Sequence, residues 1–75
     1  MPKQNKVAAH ITGTVWKIET KVGADVNEGD ILLILESMKM EMPIESPCDG
    51  KVAEIKTKEG APVNEGDLVV IIDEA

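Results

Sequence analysis

An internal repeat restricts the fold of this 75-residue chain more than any other feature. Residues 13–24 align with residues 50–61 at a constant offset of 37, and both segments read Gly-x-Val-x-x-Ile-x-Thr-Lys-x-Gly-Ala. The alignment continues without a gap, because the run Val-Asn-Glu-Gly-Asp at residues 26–30 recurs letter for letter at residues 63–67. Two copies of a unit are too few for a solenoid. They predict instead two similar halves related by a pseudo-twofold axis.

Both copies of the repeat have the patterns of β-strands. Trp16, Ile18 and Thr20 alternate with charged residues, and a similar alternation recurs 37 positions later, as expected of half-buried strands. The Asn-Glu-Gly-Asp run supplies a turn, since Asn and Gly tolerate positive φ. The apolar runs that follow, Ile31–Leu35 and Leu68–Ile72, predict strands buried on both faces.

Nothing in the chain shows sustained helical spacing, and six glycines interrupt it at short intervals. We therefore predict an all-β fold of two four-stranded antiparallel sheets, one contributed largely by each half. The sheets should form a flattened, pseudo-twofold symmetric barrel or sandwich with an aliphatic core, since Trp16 is the only aromatic residue. Residues 1–6 are expected to form a disordered tail and residues 7–73 the domain.

Charge and hydropathy exclude several classes of partner. Eight lysines, no arginine and fourteen acidic residues give a formal net charge of -6, which argues against nucleic acid and against an anionic membrane surface. The two longest apolar runs, residues 31–35 and 68–72, are far too short to span a bilayer, and the first six residues lack the hydrophobic stretch of a signal peptide. We expect a monomeric, cytoplasmic domain.

The sequence predicts neither a catalytic residue nor a metal site. Cys48 and His10 are the only soft ligands or nucleophiles, and neither has a second residue of its kind. Cys48 lies in a Pro-Cys-Asp-Gly turn, which indicates a structural role in that loop. A single cysteine also suits a reducing compartment.

The segment from residue 36 to residue 42 joins the two halves and has no counterpart inside the repeat. Tight two-residue hairpins prefer Asn-Gly or Asp-Gly, yet Met38-Lys39 occupies that place here. A non-glycine residue held at positive φ costs on the order of 1 to 3 kcal/mol, so we attribute Met38-Lys39 to function. Pro43 fits an edge strand. Lys39 is therefore expected at a protruding hairpin tip.

An exposed amine is almost wholly protonated at neutral pH, so Lys39 is not a self-activated nucleophile. To form an amide it would need another enzyme that brings an activated acyl donor and removes the proton. Composition alone favours the interpretation that Lys39 is an ordinary solvent-exposed lysine, like the other seven of the chain. The flanking methionines change this balance, because exposed thioethers gain nothing from water. The residues by themselves indicate a displayed lysine.

The run Glu-Ser-Met-Lys-Met-Glu at residues 36–41 resembles the attachment signature of biotinyl domains. The resemblance extends over residues 7–73, and it is strongest with the short, free-standing biotin/lipoyl attachment proteins. It implies the flattened pseudo-symmetric barrel and a covalent biotin on Lys39, attached by biotin protein ligase. It also implies that Met38 and Met40 identify the lysine to its partners, while Glu36 and Glu41 help to set the hairpin.

The same resemblance implies a carrier and not an enzyme. Biotin on Lys39 would move as a swinging arm between a biotin carboxylase and a carboxyltransferase within a multi-component carboxylase, of which acetyl-CoA carboxylase is one example. Ser37 replaces the more frequent alanine of the signature.

Two other functions remain open from the sequence. The first is a lipoyl carrier domain of a 2-oxo acid dehydrogenase type of system, with lipoate on the same lysine; such domains usually have Asp before and Ala after it. The second is an unmodified interaction module with the same fold. The methionines on both sides of Lys39 favour biotin.

Overall fold

The computed structural model describes residues 3–75, and those residues form eight β-strands whose pairings are all antiparallel. The strands are β1 (Lys3–Ala8), β2 (Gly13–Ile18), β3 (Asp25–Val26), β4 (Ile31–Ser37), β5 (Met40–Glu45), β6 (Gly50–Ile55), β7 (Pro62–Val63) and β8 (Leu68–Glu74). Each strand of the first half has a counterpart of equal length 37 residues later. The offset of 37 residues that relates the two sequence copies therefore also relates the strands of the two halves.

The eight strands form two four-stranded sheets, with the orders β1-β8-β6-β3 and β5-β4-β2-β7. The predicted all-β, pseudo-twofold architecture is confirmed. The expectation that each half would contribute largely one sheet is wrong, because each sheet takes two strands from each half. The reason is that the chain crosses to the other sheet at every connection except the hairpin between β4 and β5. The short strands β3 and β7 therefore pair with strands of the opposite half, and the halves interlock.

The alternation predicted for residues 16–20 and 53–57 is confirmed except at Trp16, because the other apolar residues and the threonines are half-buried and the charged residues between them are exposed. Val15 and Val52 are buried, whereas Trp16 is 47% exposed. The pairing of β2 with β4 shifts register between Val15 and Lys17, and that of β6 with β8 shifts between Val52 and Glu54. At such a bulge two residues oppose one on the partner strand, so Trp16 is displaced outward and the period of two is broken.

The N-terminal tail predicted for residues 1–6 is also corrected. Residues 3–6 belong to β1, which pairs with β8 in a register that begins at Lys3 and Glu74. Met1 and Pro2 lie outside the described residues. Polar side chains in β1 conceal its strand character, but β8 would have an unpaired edge without this strand. The strand conformation of β1 is therefore set by its pairing with β8.

The core between the sheets is aliphatic, as predicted. Its largest fully buried side chains come mainly from β4 and β8, and they are Leu32, Leu33, Leu35, Ile72, Val15, Val52, Val69 and Val70. In residues 3–75 no helix has the length and apolar character needed to cross a membrane.

The repeated Asn-Glu-Gly-Asp turn lies before β4 and again before β8. In the first copy the amide of Asn27 donates to Oδ2 of Asp30 at 2.9 Å, and in the second the amide of Asn64 donates to Oδ2 of Asp67 at 2.8 Å. Gly29 has a φ of 93°, a conformation that glycine adopts without steric cost. The turn prediction is confirmed, and it fixes where the two central strands begin.

Candidate functional site

The hairpin between β4 and β5 is a two-residue turn formed by Met38 and Lys39. Ser37 and Met40 are the last paired residues on its two sides. The φ angles of Met38 and Lys39 are 52° and 66°, and these are the only non-glycine residues of the described chain with positive φ. Two central residues with positive φ define the tight hairpin turn that Asn-Gly usually supplies. The predicted hairpin tip is confirmed.

The side chains at this tip extend into solvent. Met38 is 91% exposed and Met40 is 62% exposed, while Lys39 between them is also exposed. Among residues 3–75 the ion pairs involve other lysines, so the amine of Lys39 forms no salt bridge there. A macromolecular partner can therefore approach this primary amine without rearranging the domain.

Two carboxylates lie immediately behind the tip. Glu36 of β4 and Glu41 of β5 are directly paired across the hairpin, and both are exposed. Like charges placed opposite each other on antiparallel strands disfavour the pairing slightly. The structure thus brings together all five residues that the sequence analysis selected, with Lys39 in front of two acidic groups.

The hairpin lies at an open side of its sheet. β5 is the edge strand, and the pairing with β4 occupies only one of its two sides. Pro43, which has no backbone N–H to donate, is therefore tolerated in β5, as its sequence context predicted. The edge position leaves the hairpin approachable from the front and from one side.

A shallow apolar groove adjoins the turn, and sequence reasoning missed it. We call it the methionine groove; its volume is about 190 Å³, and it is lined by Ile11, Ser37, Met38, Met40 and Met42. Alternation in β5 places Met42 on the same face as Met40, so that contribution could have been predicted. Ile11 comes from the loop between β1 and β2, and only the three-dimensional fold brings it here.

Cys48 has a structural environment and not that of a nucleophile. Nδ2 of Asn5 donates a hydrogen bond to its Sγ at 3.2 Å, and the Ser46 hydroxyl donates to its backbone carbonyl at 2.7 Å. Burial raises the pKa of the Cys48 thiol, and the negative charge of Glu74 raises it further. His10 is exposed, and in residues 3–75 no cluster of three or more His, Cys, Asp and Glu side chains could hold a metal ion.

Alkylation of Cys48 is expected to be slow at neutral pH and faster in alkali. Because the pKa of the thiol is raised, the reactive thiolate is the minor form throughout the neutral range, and its population should grow about tenfold per pH unit below that pKa. Iodoacetamide labelling followed by mass spectrometry between pH 7 and pH 9 measures this dependence, with the urea-unfolded chain as the reference. Equal rates for the folded and unfolded chains at neutral pH would contradict the assignment.

The comparison with protein families identifies this arrangement. The model of the family described as "Biotin-requiring enzyme", the biotin/lipoyl family, matches residues 2–72. The chain belongs to the biotin/lipoyl family. This confirms the resemblance read from the attachment signature.

Curated relatives match shorter segments. The chain is 45% identical over 44 residues to a biotin/lipoyl attachment protein of Bacillus subtilis, which is 59% of this chain and 60% of that protein. It is 46% identical over 44 residues to pyruvate carboxylase of the same organism, again 59% of this chain but 4% of the enzyme. It is 42% identical over 48 residues to the mitochondrial methylcrotonoyl-CoA carboxylase subunit alpha of Rattus norvegicus, 64% of this chain and 7% of that subunit. The matched segments thus span less than two thirds of each relative.

Solved structures show the same fold inside much larger carboxylases. The match to a single-chain, multi-domain long-chain acyl-CoA carboxylase covers 100% of this chain and 8% of the carboxylase, with a TM-score of 0.92 and 27% identity. The match to the urea carboxylase of Kluyveromyces lactis covers 96% of this chain and 6% of that enzyme, with a TM-score of 0.89 and 38% identity. The fold of this chain is accordingly that of segments of two carboxylases, and its family is described as biotin-requiring. An exposed primary amine on a protruding turn fits covalent attachment of such a group.

Proposed function

We propose that the chain is a biotin carboxyl carrier, with biotin joined through an amide to Nζ of Lys39. The observation that carries the proposal is the position of Lys39 at the exposed, positive-φ tip of a hairpin in a biotin/lipoyl family member. When bound, biotin supplies a ureido nitrogen that can accept and release a carboxylate. The domain itself contributes display, reach and weak docking, and it catalyses no step.

Attachment needs a second protein. A free carboxylate does not acylate an exposed amine in water, so an acylating enzyme must bring an activated biotin and take up the proton released when the amide forms. We assign this role to a biotin protein ligase. A biotin carboxylase and a carboxyltransferase would then be the two sites that the arm visits. The similarity to carboxylases of several kinds supports these partners.

We further propose that these partners are on separate chains of a multi-component carboxylase in the cytoplasm. The similarity to a biotin/lipoyl attachment protein supports separate chains, and the single unpaired cysteine suits a reducing compartment. A net charge of -6 favours fast, transient encounters with basic partner faces, because charge accelerates association more than it strengthens binding.

The four neighbours of Lys39 receive recognition roles in this proposal. Met38 and Met40 project from the tip and would enter apolar pockets of the partner, where their flexible thioethers can adapt to different surfaces. Glu36 and Glu41 present two carboxylates at the base of the tip and would meet cationic groups of the ligase. Their unfavourable like-charge pairing would be relieved in such a complex.

Intact-mass measurement after co-expression with a biotin ligase and biotin tests the proposal. The wild-type chain is expected to gain the mass of one biotin less one water, whereas the Lys39→Arg variant should gain nothing. Arginine keeps the positive charge and the side-chain length, so a loss of labelling is specific to the amine. A wild-type chain that gains no mass under conditions that label another biotin acceptor would remove the biotin assignment.

The family also includes lipoyl attachment, so the same measurement is repeated with lipoate and a lipoate ligase. Mass gain with lipoate alone would assign a lipoyl carrier. An absence of gain in both experiments would instead favour an unmodified interaction module. We expect biotin to be the preferred substituent because methionines lie on both sides of Lys39.

A further inference from the structure

The pseudo-twofold symmetry provides an internal reference for the methionine groove. Five positions line the groove, and four of them are apolar. The positions 37 residues away that correspond to Ile11, Ser37, Met38, Met40 and Met42 are occupied by Cys48, Glu74, Ala75, Lys3 and Asn5. The same backbone arrangement is therefore compatible with charged and amide side chains, and the fold does not require an apolar groove beside Lys39.

The contact between two of these equivalent positions makes the difference clear. At the symmetry-related site, Asn5 donates a hydrogen bond to the sulfur of Cys48 at 3.2 Å. Their counterparts at the hairpin end, Met42 and Ile11, both line the methionine groove. A polar contact present at one end of the domain is thus replaced at the other end by an open apolar surface.

This apolar surface costs free energy while it faces water. Met38 and Met40 are 91% and 62% exposed, and covering such side chains removes apolar area from water. Methionine is also an apolar side chain that adapts readily to irregular shapes, because it is unbranched and flexible. The groove therefore suits a small, largely apolar ligand that arrives near the hairpin tip.

We infer that the methionine groove is a resting site for the bicyclic ring of the biotin attached to Lys39. This inference rests on the function proposed above. The ring has apolar faces and a thioether, which match the groove, and its ureido group can remain in water. A closed apolar cavity of about 150 Å³ is known to hold benzene, so a groove of about 190 Å³ has the size for a small ring.

Because the biotin is covalently attached to Lys39, weak binding is enough to keep its ring in the methionine groove for part of the time. A group held on a short flexible linker experiences an effective concentration in the millimolar range near its attachment point. The groove residues Ser37, Met38 and Met40 directly flank Lys39, so the ring need only fold back along its own arm. A site that binds weakly releases the arm readily when a carboxylase partner arrives.

Methyl NMR of the biotinylated and unmodified domain tests this inference without any activity measurement. The methyl groups of Ile11 and Met42 should shift on biotinylation and show nuclear Overhauser contacts to the ring, although neither residue is adjacent to Lys39 in sequence. Ile31 is the reference, because it lies at the far end of β4, about 20 Å from Ser37 along the strand. Its methyl group should not move.

Two variants at one position separate groove binding from a general disturbance. Met42→Asn introduces the residue found at the symmetry-related position 5, and it should abolish the contacts between the ring and Ile11. Met42→Leu keeps an apolar side chain and should retain them. If the ring is docked about half of the time, streptavidin should capture biotinylated Met42→Asn about twofold faster than the wild type.

The outcomes distinguish this inference from the proposed function. A chain whose mass shows one biotin, but whose shifts are confined to residues 38–40, would overturn the resting site and leave the carrier function intact. A chain that takes up no biotin at all would overturn both. Contacts between the ring and Ile11 that persist in Met42→Asn would also overturn the assignment to the methionine groove.

Discussion

Replacement of the turn Met38-Lys39 by Asn-Gly is expected to abolish biotin incorporation and to make the domain more stable. Each non-glycine residue at positive φ costs on the order of 1 to 3 kcal/mol, and both central residues of this turn have positive φ. Asparagine at positive φ retains part of this cost, and glycine offsets roughly 0.5 to 1 kcal/mol of the gain because it adds entropy to the unfolded chain. The net increase in the free energy of unfolding should therefore be about 1 to 2 kcal/mol.

Urea denaturation of the two unmodified proteins measures the stability change, and intact mass after exposure to ligase and biotin measures labelling. Lys39→Arg is the matched control, since it removes the acceptor amine but keeps a non-glycine residue at positive φ. This single variant should lose labelling without becoming more stable. A denaturation midpoint of the Asn-Gly variant at or below that of the wild type would show that the Met-Lys turn is not strained.

The hairpin could be predicted from the sequence because its position follows from the repeat. The apolar run that ends near Leu35 and the strand that contains Pro43 leave only a short segment for a turn, and no glycine or asparagine is available there. The structure confirms that Met38 and Lys39 occupy the two central positions. Local patterns were sufficient here, because a two-residue turn is defined by residues adjacent in sequence.

Features that depend on pairing between distant strands could not be predicted in the same way. The bulge at Trp16 arises from the register between β2 and β4, and alternation within β2 alone does not reveal it. The strand conformation of residues 3–6 comes from pairing with β8, at the far end of the chain. Ile11 reaches the methionine groove only because the two halves interlock. Each of these features is set by contacts between residues far apart in sequence.

Substitution of alanine for either of two symmetry-related glycines is expected to destabilise the domain by about 1 to 3 kcal/mol, the usual cost of overpacking. A Cβ atom at Gly13 would overlap the backbone carbonyl oxygen of Glu36, and one at Gly50 would overlap that of Asp73. Backbone atoms cannot rotate away as a flexible side chain can. A neighbouring strand must therefore shift in each variant, and thermal unfolding should show both losses.

The two variants should nevertheless differ in biotinylation. The Cβ of Gly13→Ala would also lie 3.3 Å from Cβ of Ser37, so β4 must move where it enters the Met38-Lys39 turn. In Gly50→Ala the displaced segment is the end of β8, the symmetry-related counterpart of the turn and not the turn itself. Because displacements near 1 Å can cost large factors in rate, ligase should label Gly13→Ala on the order of tenfold more slowly than Gly50→Ala at a temperature where both are folded. Equal labelling rates would mean that the ligase tolerates a displaced hairpin, and the geometry of the tip would then matter less for recognition than the chemical identity of Met38, Lys39 and Met40.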